Sequence, residues 1–557
     1  MVAESGRPVI AILAVGLVFA GLLHATGRRA VVAAASEVSV EQIRRHTVVL
    51  GSDALEGRAP GTAGGRRAAA YIEDELRRLG VRPWGDEGGF LQHVPLHAVT
   101  PLDDSRLVLT SLGEARELAL GSDYLLLTTG AQTWLPRPVP MVFVGYGIVA
   151  PEFDYNDYAD VDVRGKVVAF LDGEPRSADP EYFAGPEITV YSAADTKQRI
   201  ALSRGAVGSV LIPVEGNGGE DRWQRLRREF AFDHLTLAYS IPRHLSLILH
   251  PSEAPGLFEN ALFDIHQVLA MRNEHTLRSF HLPVSISFEG SFRTRSFTSP
   301  NVVGLIEGSD PALNDSYVIV SAHYDHLGIG PDVGGDSIYN GVVDNALGVA
   351  GVLEIARVLN LRTGPPRRSV VLFFPTAEEE GNLGSSFFLD HPPAPLSSFV
   401  ANINVDGLAF FDTFDDVVGI GGELSDLGSM LSDATRGLGV EVSRPDEFAW
   451  GHEAYARSDQ AAFAAVGVPA ILVSEGFSWH RTSREEAIAR ATQWLTTVYH
   501  SPADDVEQPL DFAASAQHLG IVLALVLTVA DSPAPPEWHP GVRYAYQRAL
   551  SLANARD

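Results

Sequence analysis

An apolar run that empties into three consecutive glutamates constrains this chain more than any other feature. In RSVVLFFPTAEEEGNLGSS, residues 368–386, every position from Val370 to Phe374 is apolar. Such a run suits a parallel strand buried on both faces, since a solvated face would call for polar residues at alternate positions. Glu378, Glu379 and Glu380 then fall just past the strand's carboxyl end, where open α/β sheets hold their ligands. Alone, three adjacent carboxylates read as readily as a solvated acidic turn. The arrangement recurs, however. YVIVSAHYDHLG (residues 317–328) ends an apolar strand in His323 and Asp325, and FVANINVDG (399–407) ends another in Asp406. Between them, GVVDNALGVAGVLEIARVL puts Asp344 and Asn345 directly before a segment with Val349, Val352, Leu353, Ala356 and Leu359 on one helical face. Either residue is therefore the predicted N-cap. Each residue has a plainer reading by itself: a cap for Asp344, a strand-end turn for Asp406, a surface ring for His323. Their recurrence at the mouths of successive strands favours one shared site.

The chain divides around that alternation. Strands and helices alternate from SPNVVGLIEG (299–308) to about Ala530, which predicts an α/β fold. Upstream, helical spacing over 38–80 is broken by the turn-rich EGRAPGTAGG and stops at Gly80, and short runs from about Phe90 to Thr129 read as strands. PRPVP, at 136–140, is a stiff punctuation mark and the predicted domain boundary. Residues 136–290 group no His, Asp and Glu as ligands, so they read as a non-catalytic, β-rich insert between two parts of one domain, 36–135 and 291–535. A proline-rich connector then leads to a terminal helix in 536–557. With 557 residues, 45% of them hydrophobic, there is material for two or three such units. Near the start, the uncharged run from Val9 to Leu23 is shorter than the about 20 residues of a spanning helix. With Ala33, Ala34 and Ala35 behind it, residues 1–35 read as a signal segment, an uncleaved anchor being the alternative. Either reading puts the body of the protein outside the cytoplasm, periplasmic or secreted.

Composition limits the chemistry. A formal net charge of −28 leaves nothing to neutralise phosphates, which argues against a nucleic-acid partner, and membrane contact is confined to the N-terminal segment. There is no cysteine, so disulfides and thiolate zinc sites are excluded and any metal must be held by His, Asp and Glu. The last third adds candidates. EAYARSDQAAFAAVGVPAILVSEG places Tyr455, Ser458 and Asp459 ahead of another apolar strand, and TVYHSPADDVEQ places His500 before a proline turn and Asp504. His500 alone reads as a surface residue, but the carboxylates gathered so far lack a second imidazole.

HYDHLG, DNALGVAG, AEEEGNLGS, INVDG, RSDQAAFAAVGVPA and YHSPADD follow one another in an order and spacing that give the chain its resemblance to a known family. It resembles the co-catalytic zinc exopeptidases of the aminopeptidase Y type, a group with secreted bacterial leucine aminopeptidases, glutamate carboxypeptidases and catalytically dead transferrin receptors. EGRAPGTAGG looks like that family's N-terminal segment, and the 136–290 insert resembles a protease-associated domain. The resemblance implies a mostly parallel central sheet flanked by helices, the zinc exopeptidase fold. It implies two zinc ions bridged by Asp344, with His323 and Asp406 completing one site and Glu379 and His500 the other. Asp325 would stand behind His323, Glu378 would be the general base, and Tyr455 would polarise the scissile carbonyl. Where the family usually shows His, this chain has Gln460. The chemistry asks for a similar set: a metal can lower the pKa of a water to about 7, and carboxylates with imidazoles suit zinc without excluding manganese or cobalt. The expected activity is removal of N-terminal residues from peptides or small proteins. A carboxypeptidase, dipeptidase or glutaminyl cyclase on the same scaffold is the alternative among enzymes. A receptor-like binding protein is the alternative outside them, and the presence of Glu378 and Tyr455 argues against it.

Overall fold

The computed structural model describes residues 32–554 apart from 129–132, 178, 180–181, 184, 186–188, 215–218, 241–243, 363 and 445–454. Most of the expected signal segment, residues 1–31, lies outside the described residues. Ala34, in the expected cleavage region, is buried in the main core.

Five strands organise the main sheet: β1 (Phe292–Ile306), β2 (Tyr317–Ser321), β3 (Ser369–Phe374), β4 (Phe399–Asn404) and β5 (Ala470–Glu475). They lie side by side in the order β1-β3-β2-β4-β5. The last four are parallel, and all of β3 is buried, as its unbroken apolar run requires. Two helices carry much of the packing, α1 (Leu347–Leu361) and α2 (Phe512–Asp531). The second is long and apolar enough to cross a membrane, yet it is mostly buried inside the fold. The parallel arrangement holds for this centre, while the flanks make the sheet mixed. β1 pairs antiparallel with β3 and with Leu91–Pro101, and β5 pairs antiparallel with Asp416–Ile420. Parallel neighbours need a crossover connection such as the one α1 makes between β2 and β3.

A second sheet takes eight strands from between Arg106 and Glu289. In its strand Val167–Leu171, Val167, Ala169 and Leu171 face one core and Val168 and Phe170 another, so alternation buries both faces. PRPVP is not a boundary but part of the strand Trp134–Phe143. Its prolines fit because the neighbouring Val167–Leu171 pairs only with Met141, Val142 and Phe143, leaving Pro136, Pro138 and Pro140 on a stretch bonded from one side. The strand His234–Leu237 departs from this pattern and pairs with Leu91–Pro101 at the edge of the main sheet.

Candidate metal centre

The carboxyl ends of β2, β3 and β4 deliver His323, Glu378 with Glu379, and Asp406 to one place. Asp344 arrives from the short turn Val342–Ala346 ahead of α1. Neither Asp344 nor Asn345 caps that helix, whose N-terminus at Ala346 has no side-chain cap. Asn345 instead donates from Nδ2 to the Val405 carbonyl at 2.9 Å and accepts the Gly407 N–H on Oδ1 at 2.9 Å. The turn is thereby tied to the loop that carries Asp406. On its other side the Asp504 carboxylate accepts the N–H groups of Val343 at 3.0 Å and Asp344 at 3.1 Å. Gly341 has φ +58°, and a Cβ there would lie 2.2 Å from the Asp344 carbonyl oxygen and 2.4 Å from His326 Cγ, so only glycine fits the turn.

His323 Nε2 lies 3.2 Å from Asp344 Oδ1, 3.2 Å from Asp406 Oδ1 and 3.9 Å from Glu378 Oε2. His500 Nε2 lies 3.2 Å from Asp344 Oδ2 and 3.1 Å from Glu379 Oε2. The two oxygens of Asp344 therefore face two different imidazoles, each of which meets a further carboxylate. His500 Nε2 is buried without a hydrogen-bond partner even though two carboxylate oxygens surround it, so the donor atoms converge on a point more than they pair. Carboxylates with imidazoles form a donor set suited to zinc, manganese or cobalt. The residues present fit a divalent metal.

Electrostatics agree with the geometry. Burial pulls His323 and His500 down, but surrounding carboxylates prevail and hold both imidazoles well above their ordinary range. Burial pushes Asp344 up, yet the imidazoles of His323 and His500 beside its two oxygens hold it well below the usual carboxylate range. Protons on the two rings take the place that a divalent cation would fill. The neighbouring glutamates differ. Burial, opposed by His323 and reinforced by Asp406, puts Glu378 well above the carboxylate range. Burial and Asp344 also push Glu379 up, but His500 and His326 bring it down to about 2.

Asp325 stands near His323 in a different posture from the one expected. Its carboxylate accepts the Glu378 N–H at 3.1 Å and lies 3.8 Å from His323 Nδ1, while its backbone carbonyl is 3.2 Å from that nitrogen. Tyr455 is not brought to the cluster. Its buried hydroxyl donates to the Ala470 carbonyl at 3.4 Å, at the amino end of β5, whereas the cluster lies at carboxyl ends. Gln460 helps to hold that posture: its Oε1 accepts from Asn404 Nδ2 at 2.8 Å and its Nε2 donates to the Tyr455 carbonyl at 3.0 Å.

Two residues that the sequence did not single out belong to the site. His326 is buried, with Nδ1 2.5 Å from Glu379 Oε1 and Nε2 lacking a hydrogen-bond partner. Its signal was the second imidazole in HYDH. Arg58, from EGRAPGTAGG, is 1% exposed and donates to four carbonyls: Tyr324 at 2.7 Å, Leu50 at 2.8 Å, Asn340 at 2.5 Å and Gly341 at 2.7 Å. It thus clamps the turn carrying His323 to the turn carrying Asp344. Burial lowers its pKa to about 10, which leaves it charged at neutral pH. Arg58→Gln should lower stability by about 3 kcal/mol, since the carbonyls lose a charged donor, and weaken metal binding about 10- to 100-fold as the ligand turns loosen. Thermal unfolding in chelator and equilibrium metal titration measure the two effects separately, and unchanged metal affinity would reduce Arg58 to a fold element.

A cavity of about 300 Å³ opens beside the cluster, lined by His326, Glu379 and Glu380, by Thr62, and by Phe232 and Asp233 next to the strand His234–Leu237. The third glutamate fastens that strand, for Glu380 Oε2 accepts the Leu235 N–H at 3.2 Å, and burial pushes its pKa up to about 8.

The profile of Peptidase family M28 matches residues 301–526. Among named relatives, Leupeptin-inactivating enzyme 1 of Streptomyces exfoliatus is 25% identical over 259 residues, 44% of this chain and 52% of that protein. Aminopeptidase YwaD of Bacillus subtilis is 28% identical over 229 residues, 39% of this chain and 43% of that protein. Aminopeptidase NAALADL1 of Mus musculus is 40% identical over 115 residues, 20% of this chain and 14% of that protein. The matches thus span from about a seventh to about half the length of these relatives. Among solved structures, the aminopeptidase from Aneurinibacillus sp. strain AM-1 has a TM-score of 0.52 at 17% identity, covering 90% of this chain and 96% of that one, a likeness of fold. Since His323, Asp344, Glu378, Glu379, Asp406 and His500 all fall within residues 301–526, the chain carries a Peptidase family M28 domain, and the cluster lies inside it.

Proposed function

We propose that the protein is an exported zinc aminopeptidase that removes N-terminal residues from peptides. One observation carries the reading: the two carboxylate oxygens of Asp344 stand 3.2 Å from two separate imidazoles, each shared with another carboxylate, which is what a pair of metal ions bridged by one residue asks for. His323 and Asp406 would complete one site, and Glu379 and His500 the other. When bound, the ions supply Lewis acidity that makes attack of water on an amide feasible near neutral pH. The positive charge of bound ions would offset the burial that raises Glu378 and leave it ionised, so that Glu378 takes a proton from the attacking water and returns it to the departing amine. Asp325 steadies the Glu378 backbone by accepting its N–H. The names of the relatives support the choice of the N-terminus. Peptides blocked at either end distinguish the readings: an N-acetylated peptide should survive zinc-loaded enzyme while a C-amidated one is shortened from its N-terminus. The opposite pattern would make the protein a carboxypeptidase.

We read the β-rich segment as a protease-associated type of insert that shapes the cleft mouth, because Phe232 and Asp233 line the cavity beside the cluster. Phe232→Ala should change the ratio of kcat/KM for long over short peptides about fivefold, within the range of apolar-contact discrimination, and leave a single-residue amide substrate nearly unaffected. An unchanged length profile would remove the insert from substrate selection.

A further inference from the structure

We propose that the second sheet carries a binding site, separate from the metal centre, for a small soluble oxyanion bearing two or more negative charges. The site is a cavity of about 680 Å³ walled by Arg176, Arg222, Arg225 and Arg272, with Asp172 and Glu174 as its two carboxylates. That volume falls in the usual range for small-molecule sites.

The charges in it do not balance. Asp172 is taken by Arg222, with which it forms an ion pair. Glu174 turns to Thr189, accepting its backbone N–H at 2.7 Å and its hydroxyl. Among the described residues Arg225 and Arg272 form no ion pair, Arg176 acts on Glu174 only across a distance, and Arg272 hydrogen-bonds Tyr146 while its Nε is buried without a hydrogen-bond partner. Lys197 adds a further cation, set near Asp172, Asp157 and Glu174. Lys197 is fully buried and donates from Nζ to the carbonyl of Leu171 at 2.9 Å and to that of Gly173 on the cavity wall. In a chain of net charge −28, such a gathering of cations is not what the average surface supplies. Like charges held around one cavity repel, and an anion seated among them removes the repulsion. The planar guanidinium fork selects the oxygen edges of carboxylate, sulfate and phosphate groups, so the shared chemistry of the ligand is the multiply charged oxyanion. Lys197 holds the 171–173 backbone in place, so the wall is preformed.

Calorimetric titration of the full-length, metal-loaded protein with benzene-1,3-disulfonate tests this, because sulfonates bind zinc weakly and leave the metal centre loaded. The expected result is one site per chain, tighter for the disulfonate than for sulfate and absent for the neutral 1,3-bis(methylsulfonyl)benzene. Arg176→Gln combined with Arg225→Gln should weaken the disulfonate at least tenfold with peptide hydrolysis unchanged. Arg225→Lys, which keeps the charge and loses the fork, should fall between. Equal binding by wild type and both variants overturns the proposal, and so does a signal that disappears in chloride of matched ionic strength.

Discussion

Glu378→Gln is expected to hydrolyse peptide bonds about 10²- to 10⁴-fold more slowly than the parent protein, with KM and metal content nearly unchanged. The substitution keeps the length, planarity and part of the hydrogen bonding of the side chain while removing its basic oxygen. Geometry separates this residue from its neighbour. Glu379 Oε2 stands 3.1 Å from His500 Nε2 and belongs with the donor atoms, whereas Glu378 approaches His323 only to 3.9 Å and has its backbone N–H secured by Asp325. A carboxylate committed as a ligand is poorly placed to shuttle a proton, so two adjacent glutamates divide two tasks. Glu379→Gln should accordingly lose or loosen one ion, because a neutral amide is a poor substitute for a ligating carboxylate. Metal analysis of both variants beside their kcat values checks the division. Full metal in Glu379→Gln with depleted metal in Glu378→Gln would exchange the two roles.

The clustering of these side chains was legible because strand ends are legible. Apolar runs without alternation mark buried parallel strands, and the first ionisable residues beyond β2, β3 and β4 have to lie at one edge of the sheet, so His323, Glu378, Glu379 and Asp406 came together without any knowledge of packing. His500 required the resemblance, since nothing local distinguishes an imidazole before a proline turn from a surface residue. Arg58 and His326 were missed for a different reason. A lone arginine in a turn-rich segment reads as solvated until its four carbonyl partners, which come from distant parts of the chain, are known. Tyr455 shows the converse: a motif fixes a residue's place in the sequence but not where its hydroxyl goes, and here that hydroxyl meets the Ala470 carbonyl while buried Gln460 holds the Tyr455 backbone carbonyl. The prolines of 136–140 misled because they forbid a ladder on their own N–H side only, and the strand Trp134–Phe143 uses its other side.

Asp344→Ala should empty both halves of the metal site at once, lowering bound zinc from about two ions per chain to less than one, with hydrolysis falling to background. The argument rests on which atoms face which rings. Oδ1 of Asp344 is 3.2 Å from His323 and Oδ2 is 3.2 Å from His500, so one truncation removes an oxygen from each half. Asp406 serves as the control. It meets His323 at 3.2 Å and has no contact with His500 among the described residues, so Asp406→Ala should lose about one ion and keep the other. The same contrast separates a shared bridge from general loosening of the fold, because Asp344 and Asp406 sit on loops that Asn345 ties together, and a fold-wide effect would deplete both variants alike. Elemental analysis after gentle purification, with circular dichroism to verify folding, decides the matter. If Asp344→Ala retained one tightly held ion, the bridging role would be wrong and the two halves of the cluster would have to be treated as independent sites.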